Sequence, residues 1–314
     1  MRCLLFGAGG FLGGHVLTLL AEDPAATVIP AARGGAGSVA TAPAAGGVRV
    51  DLATARPGEL VSLLWETTPD VVVNCAGSTN GDAGAMARSN VVAVANLISA
   101  LDHYHRPVRL VHLGSAAEYG VVPAGRPVPE TFPAQPVSAY GMSKLAGTEL
   151  VLAARRRGRS ATVLRVFNPV GPGTPGTLLP GRLVEALRRS AESGEQARLG
   201  RLDGHRDFVD ARDVATAVRA AALVEGPLPA LFNVGSGQAT GLRELAALAA
   251  KAAGVLPPLE DEAVGGSSRS VAVSWQQADI GAAVTALGWR PAYPLAASLR
   301  DMGLPEAVPS VPAR

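Results

Sequence analysis

The sequence predicts an α/β protein: a doubly wound parallel sheet with a smaller, mostly helical cap in its C-terminal part. Three observations predict it. Apolar runs of strand length recur at Arg2–Phe6, Thr27–Ala32, Val71–Cys75, Val108–Leu113 and Ala161–Phe167; stretches of helical length separate several of them; and a glycine-rich turn joins the first run to the first helix. Strands alternating with helices close into a parallel sheet through right-handed crossovers. At 314 residues, 48% hydrophobic and 17% charged, the chain can form one large domain or a large and a small one.

Composition excludes several classes. The net charge is +2, and the arginines are scattered without interleaved aromatics, which argues against a nucleic-acid partner. Lysine occurs only at Lys144 and Lys251, a bias without functional content. Cys3 and Cys75 fall in predicted buried strands and read as small core residues of a reducing compartment. No zinc spacing exists, so no metal is expected. The apolar opening is interrupted by Gly7, Gly9 and Gly10 before it reaches signal-peptide length, and no segment reads as a membrane span. A cytoplasmic protein without a membrane partner is expected.

Taken in order, Arg2–Phe6 is the first strand, Gly7 to Gly13 a loop, and Phe11–Ala21 a helix ended near Asp23-Pro24. Leu12 occupies the last glycine position of G-x-G-x-x-G. Gly7, Gly10 and Gly13 give G-x-x-G-x-x-G instead, which still lets backbone approach a pyrophosphate resting on a helix N-terminus beside Phe11 and Leu12. The second strand, Thr27–Ala32, should end on the group that reads the adenosine ribose. Ala31 and Ala32 supply no acid and Arg33 follows, so NADP(H) is favoured over NAD(H). A third strand, Val48 to Val50, ends at Asp51 and Leu52, positioned for an adenine contact. The fourth, Val71–Cys75, runs into the small-residue turn Ala76-Gly77-Ser78-Thr79, and a helix from about Ala85 to Tyr104 carries Asn90 in an apolar context.

The Val108–Leu113 strand places the Ser115 hydroxyl at its carboxyl end. Ser138 stands where an N-cap would, and the helix it opens carries Tyr140 and Lys144 one turn apart on one face. With four tyrosines and two lysines in the chain, that spacing arises by chance about 0.03 times, so the pair is a specific hypothesis. A hydroxyl, a phenol and an ammonium converging on one carbonyl are the parts of acid-assisted hydride transfer: Ser115 holds the oxygen, Tyr140 exchanges its proton, and Lys144 stabilises phenolate. After the Ala161–Phe167 strand the texture changes to a Pro/Gly loop, a helix from about Leu178 to Ser193, and the polar run Gly204 to Val214 leading into another helix. A strand returns at Ala230 to Val234, followed by helices near 241–253 and 278–287. Residues 1–168 plus 205–237 are expected to form the dinucleotide-binding domain and 169–204 plus 238–304 the substrate-binding cap, with 305–314 a tail.

With Gly7/Gly10/Gly13, Asn74-Cys-Ala-Gly77, Ser115 and Tyr140-x-x-x-Lys144 in this order, the chain resembles the extended short-chain dehydrogenase/reductases, the NAD-dependent epimerase/dehydratase family, from about Cys3 to Met302. Gly114 to Gly120, Phe167 to Gly173, Arg206 to Val214 and Phe232 to Gly237 look most like GDP-4-keto-6-deoxymannose reductases. The resemblance implies a Rossmann sheet. It implies that Cys75, Ala76, Gly77, Asn90, Tyr140, Lys144 and Phe167 join the glycines at the cofactor, and that Ser78, Thr79, Ser115, Ala116, Ala117 and Asn168 face the substrate. It implies further that Arg206 and Arg269 grip a diphosphate. Sugar dehydratases of this superfamily carry Asp-Glu after the catalytic Ser/Thr; Ala116-Ala117 here argue against dehydration. The implied activity is NADPH-dependent reduction of a keto group, at C4 of an NDP-4-keto-6-deoxyhexose. The alternatives are an NDP-sugar C4 epimerase and a ketoreductase acting on a non-nucleotide natural-product ketone. A homodimer is expected, because Val91, Val94, Ile98 and Leu101 make a more continuous apolar helix face than one sheet contact needs.

Overall fold

The computed structural model describes residues 1–33, 47–261 and 273–304. The chain begins β1 (Arg2–Phe6), α1 (Phe11–Ala21), β2 (Thr27–Ala32), β3 (Val48–Arg49), α2 (Pro57–Thr67) and β4 (Val71–Asn74). It continues through α3 (Ala83–Ala87), α4 (Ala93–His103), β5 (Arg109–Ser115), α5 (Ala139–Arg156), β6 (Ala161–Val166), β7 (Asn168–Val170), α6 (Leu179–Ser193) and β8 (Arg198–Leu199). The last third holds β9 (His205–Asp210), α7 (Ala211–Leu223), β10 (Leu231–Val234), β11 (Ala239–Gly241), α8 (Leu242–Ala253), β12 (Leu259–Glu260), α9 (Gly281–Leu287) and α10 (Leu295–Arg300).

Seven strands form one parallel sheet in the order β10-β6-β5-β4-β1-β2-β3. Its central strands are apolar on both faces because helices cover both. Cys3, Leu5, Val111 and Leu113 point to one side, with Val16, Val214 and Val218 of α1 and α7. Leu4, Phe6, Val72 and Leu110 point to the other, with Leu60 and Leu64 of α2, Leu97 of α4 and Val151 of α5. Helix α2 has no counterpart in the sequence reading. Its Pro57-Gly58 opening reads as a turn, yet Pro57 is a favoured first helical residue, and Leu60, Leu63, Leu64 and Thr67 are buried at helical spacing.

Helices α3 and α4 are one continuous rod of 21 residues, Ala83–His103, joined through a π turn at Arg88–Val92. It is long and apolar enough to cross a membrane by length and composition alone, contrary to the expectation that no segment would be. Here its apolar face is turned inward. Val94, Ile98 and Leu101 are buried among α2, α5 and the sheet, which also corrects the argument that this stripe exceeded what the subunit needs.

Strands β7, β9 and β11 form a separate three-stranded sheet, parallel between β7 and β9 and antiparallel between β9 and β11. The polar run 205–214, expected only to lead into a helix, therefore begins as a strand. Within the stretch 205–237 assigned to the first domain, β9 pairs outside the large sheet, whereas α7 packs on α1 and β10 extends the sheet beside β6. A third core cluster gathers Val170, Leu183, Leu187, Phe208, Leu245 and Leu299 around the small sheet, α6, α8 and α10.

Candidate active site

The chain leaves β1 for β2 on one side and returns to β4 on the other, so a crevice opens at the carboxyl ends of β1 and β4, where sheets of this topology bind ligands. Gly7 lies there with φ +78°, and a Cβ on it would stand 2.6 Å from the Ala76 nitrogen. A Cβ on Gly13 would stand 2.0 Å from the Gly7 carbonyl oxygen. Both contacts are with backbone, which cannot give way, so only glycine permits the turn. The first turn of α1, capped by Gly10 without a side-chain hydrogen bond, presents Gly10, Phe11 and Leu12 to a cavity of about 890 Å³. Its first-turn amides, which have no partner within the helix, fit the pyrophosphate of a dinucleotide. Gly7 and Gly13 sit beneath the turn and shape it; they do not line the cavity.

Arg33 lines the same cavity at the end of β2, with Ala31 buried behind it. Cys75, Ala76, Gly77, Ser78 and Thr79 form a further wall. Buried Asn90, from the π turn, holds that wall: its Oδ1 accepts from the Ser78 amide at 2.8 Å, and its Nδ2 donates to the Ser78 carbonyl and to Ser143 Oγ, both at 2.9 Å. The Asn90 carbonyl would be 2.4 Å from a Cβ on Gly147, so the π turn and α5 meet backbone to backbone. Three predicted cofactor residues stand elsewhere. Asp51 accepts from the Ala53 amide in a local turn, Leu52 belongs to the core, and Phe167 is wholly buried against Tyr119. Arg269 lies outside the described residues.

Ser115, Tyr140 and Lys144 converge on the cavity, and each is placed by a local device. Ser115 ends β5 and caps a short 3₁₀ turn, Ala116–Glu118, accepting from the Ala117 amide at 3.2 Å. Ser138 caps α5 by accepting from the Gly141 amide at 3.1 Å, which fixes where Tyr140 falls in the first turn. Lys144 is buried, and its Nζ donates to the Leu113 carbonyl at 2.6 Å. Burial pulls its pKa down, while the Glu118 charge pushes the other way. His112, behind Lys144 on β5, is held well below the usual histidine range by burial.

At the other end, Ala116, Ala117, Asn168 and Arg206 line the cavity as expected. Arg206 is also built into the fold: 5% exposed, it donates to the carbonyls of His205 and Val273. Four further arginines missed from the sequence share this end, Arg182 and Arg189 on α6 and Arg198 and Arg201 beyond it. Arg182 Nε is buried without a hydrogen-bond partner. Buried Gln276, also missed, lines the cavity and donates to the Ala116 carbonyl at 3.0 Å. The i, i+7 spacing on an amphipathic helix was legible for Arg182 and Arg189; nothing local marked Gln276. The loop after β7 seats on α1, where His15 Nε2 bonds the Pro172 carbonyl at 2.8 Å and packs edge-on to Phe11.

The family model described as NAD dependent epimerase/dehydratase family matches residues 3–235. A dTDP-6-deoxy-L-talose 4-dehydrogenase (NAD(P)(+)) from Kitasatospora kifunensis is 38% identical over 306 residues, covering 96% of this chain and 94% of that protein. A GDP-6-deoxy-D-mannose reductase from Pseudomonas aeruginosa is 30% identical over 247 residues, 76% of this chain and 80% of that protein. Among solved structures, RMD from Pseudomonas aeruginosa complexed with NADPH superposes with a TM-score of 0.79 at 28% identity, covering 96% of each chain. MoeE5 in complex with UDP-glucose and NAD gives 0.80 at 27% identity, covering 96% of this chain and 97% of the other.

Proposed function

The chain belongs to the NAD-dependent epimerase/dehydratase family, and from that premise we propose that it reduces the C4 keto group of a nucleotide-linked 4-keto-6-deoxyhexose with NADPH. At the coarser level it is a nicotinamide-dependent enzyme that modifies nucleotide sugars. The observation that carries the finer reading is the surroundings of Ser115. Elimination needs a free carboxylate beside it, and the two following residues are Ala116 and Ala117. The nearest acid, Glu118, is turned away and spent: Oε1 accepts from the Ser115 amide and Thr148, and Oε2 from Arg165. What remains at the reacting end is a hydroxyl, a phenol and an ammonium, the set for hydride transfer to a carbonyl.

The nicotinamide cofactor, when bound on the Gly10–Leu12 turn, supplies the hydride. The Ser115 hydroxyl donates to the keto oxygen and holds it. Tyr140 passes its phenolic proton to that oxygen as negative charge develops there, and the Lys144 ammonium stabilises the phenolate left behind. Arg33 beside the ribose end, with Ala31 in place of an acid, supports NADP(H). The arginines at the far end suit a diphosphate, which guanidinium binds in a bidentate manner.

The test is incubation with a panel of dTDP-, GDP- and UDP-4-keto-6-deoxyhexoses and NADPH, following loss of reduced-nicotinamide absorbance and the C4 configuration of the product. One cofactor oxidised per sugar reduced is expected. Interconversion of C4 epimers without net cofactor consumption would overturn the reductase assignment in favour of an epimerase. Turnover of a non-nucleotide ketone alone would remove the nucleotide.

A further inference from the structure

Behind Ser115 lies a buried polar node that the chemistry above does not use. Glu118 is 0% exposed and Arg165 4%, and neither lines the cavity. One oxygen of Glu118 takes the Ser115 amide at 2.7 Å and the Thr148 hydroxyl at 3.0 Å; the other takes Arg165 Nε at 2.8 Å. A Cβ on Gly114 would stand 2.8 Å from the same carboxylate, so β5 approaches it as closely as glycine allows. Thr148 follows Lys144 by one turn of α5, and Lys144 grips β5 through the Leu113 carbonyl. The carboxylate and the ammonium thus pin the same strand end to the same helix, one behind the other.

Lys144 itself has an unusual position for a cation. It is 6% exposed, and among the described residues no carboxylate lies within 4 Å of it. The titratable and charged groups around it are Tyr140 on its own helix, Cys75 at the end of β4, His112 on β5, Glu118 on the 3₁₀ turn, and Arg165 on β6 beyond Glu118. Burial holds His112 neutral and pushes the Cys75 thiol well up. Neither offsets a buried ammonium, whose desolvation is costly. Glu118 is left as the anion of the set, and Arg165 both neutralises part of its charge and fixes its direction.

We infer that Glu118 is a positioning residue of the site: its buried carboxylate ties Ser115 to α5 and supplies the fixed negative charge that keeps Lys144 an ammonium in a dry setting. The inference rests on the role of Lys144 in the proposed reaction, but its test requires neither substrate nor cofactor. The chain has two lysines, Lys144 and the exposed Lys251, so lysine enriched at Cε with an NMR-active carbon gives two signals, one of them an internal reference. The midpoint of Lys144 is read from its Cε shift as pH rises, in the wild type and in Glu118→Gln. A fall of about half a pH unit or more with Lys251 unmoved is expected; a smaller movement in the folded variant overturns the inference. Arg165→Met carries the test if Glu118→Gln fails to fold. Removing the competing cation should raise the Lys144 midpoint by about half a unit or more, and a smaller rise overturns the inference equally. A protein that proves not to reduce keto sugars would overturn the proposed activity and leave both titration results able to decide this inference.

Discussion

At the scale of single residues the site is a division of labour, and each part can be removed by itself. Tyr140→Phe takes away the proton donor and leaves the Ser138 cap and the glycine turn intact. Turnover should fall about 10²- to 10⁴-fold with cofactor affinity nearly unchanged; a rate within a factor of two of wild type would remove Tyr140 from its role. Arg33→Ala should erase most of a preference for NADPH over NADH amounting to about 1.5–3 kcal/mol, the worth of a hydrogen bond to a charged group, and equal affinities of the wild type for the two cofactors would refute the assignment. Arg206 requires a prediction in two parts. Its guanidinium holds the His205 and Val273 carbonyls, so Arg206→Ala should lower the melting temperature as well as kcat/KM for the nucleotide sugar, the latter about 30- to 1000-fold. A selective loss of activity with no change in melting would show that the two carbonyl contacts contribute little. That Tyr140 and Lys144 come together with Ser115 at the cavity was legible because tyrosine and lysine are scarce in this chain and the Tyr140/Lys144 spacing follows helix geometry. Glu118 was not, since a glutamate in a Gly/Ala-rich turn gives no local sign that it will be buried.

At the scale of elements, legibility followed periodicity. The bounds of β1, α1 and β2 agree with the sequence reading residue for residue, because each run is bracketed by glycine, proline or charge. Helix α2 escaped because Pro57-Gly58 reads as a break, although its buried positions repeat at helical spacing. The π turn that aims Asn90 could not have been read: the Asn90 carbonyl meets Gly147 across two helices, a contact that leaves no local sign in the sequence. The small sheet was hidden for a related reason, its strands being three and six residues long and paired across 30 residues or more. The apolar stripe of α4 was read correctly as apolar and wrongly as surplus, since burial against α2 and α5 consumes it. The dimer expected from that stripe stays a proposal, now resting on Val92 and Met142, 41% and 57% exposed on the π turn and α5. A two-fold pairing would bring each such patch against its copy. Light scattering at micromolar concentration should give a dimer that Val92→Glu with Met142→Glu reduces to monomer, and a monomeric wild type would refute it.

At the scale of the whole molecule, one cavity runs from the end of β2 past Ser115, Tyr140 and Lys144 to the arginines of α6 and β8, so on the proposed reading cofactor and sugar nucleotide would share one continuous surface. The loop carrying Pro172 connects two stretches of the cavity's lining. It leaves the strand that bears Asn168 and rests on α1, where His15 bonds it and Phe11, part of the pyrophosphate turn, packs against that histidine. Whatever steadies Phe11 therefore steadies the loop that follows Asn168 as well. That contact predicts that ligation at the two ends is coupled, and coupling in binding is reciprocal: each ligand would tighten the other by the same factor, typically about 5- to 150-fold. Calorimetric titration of NADPH with and without saturating nucleoside diphosphate measures that factor directly. His15→Ala should bring it towards unity while leaving each separate affinity almost unchanged, and an undiminished factor would mean that the two ends communicate by another route.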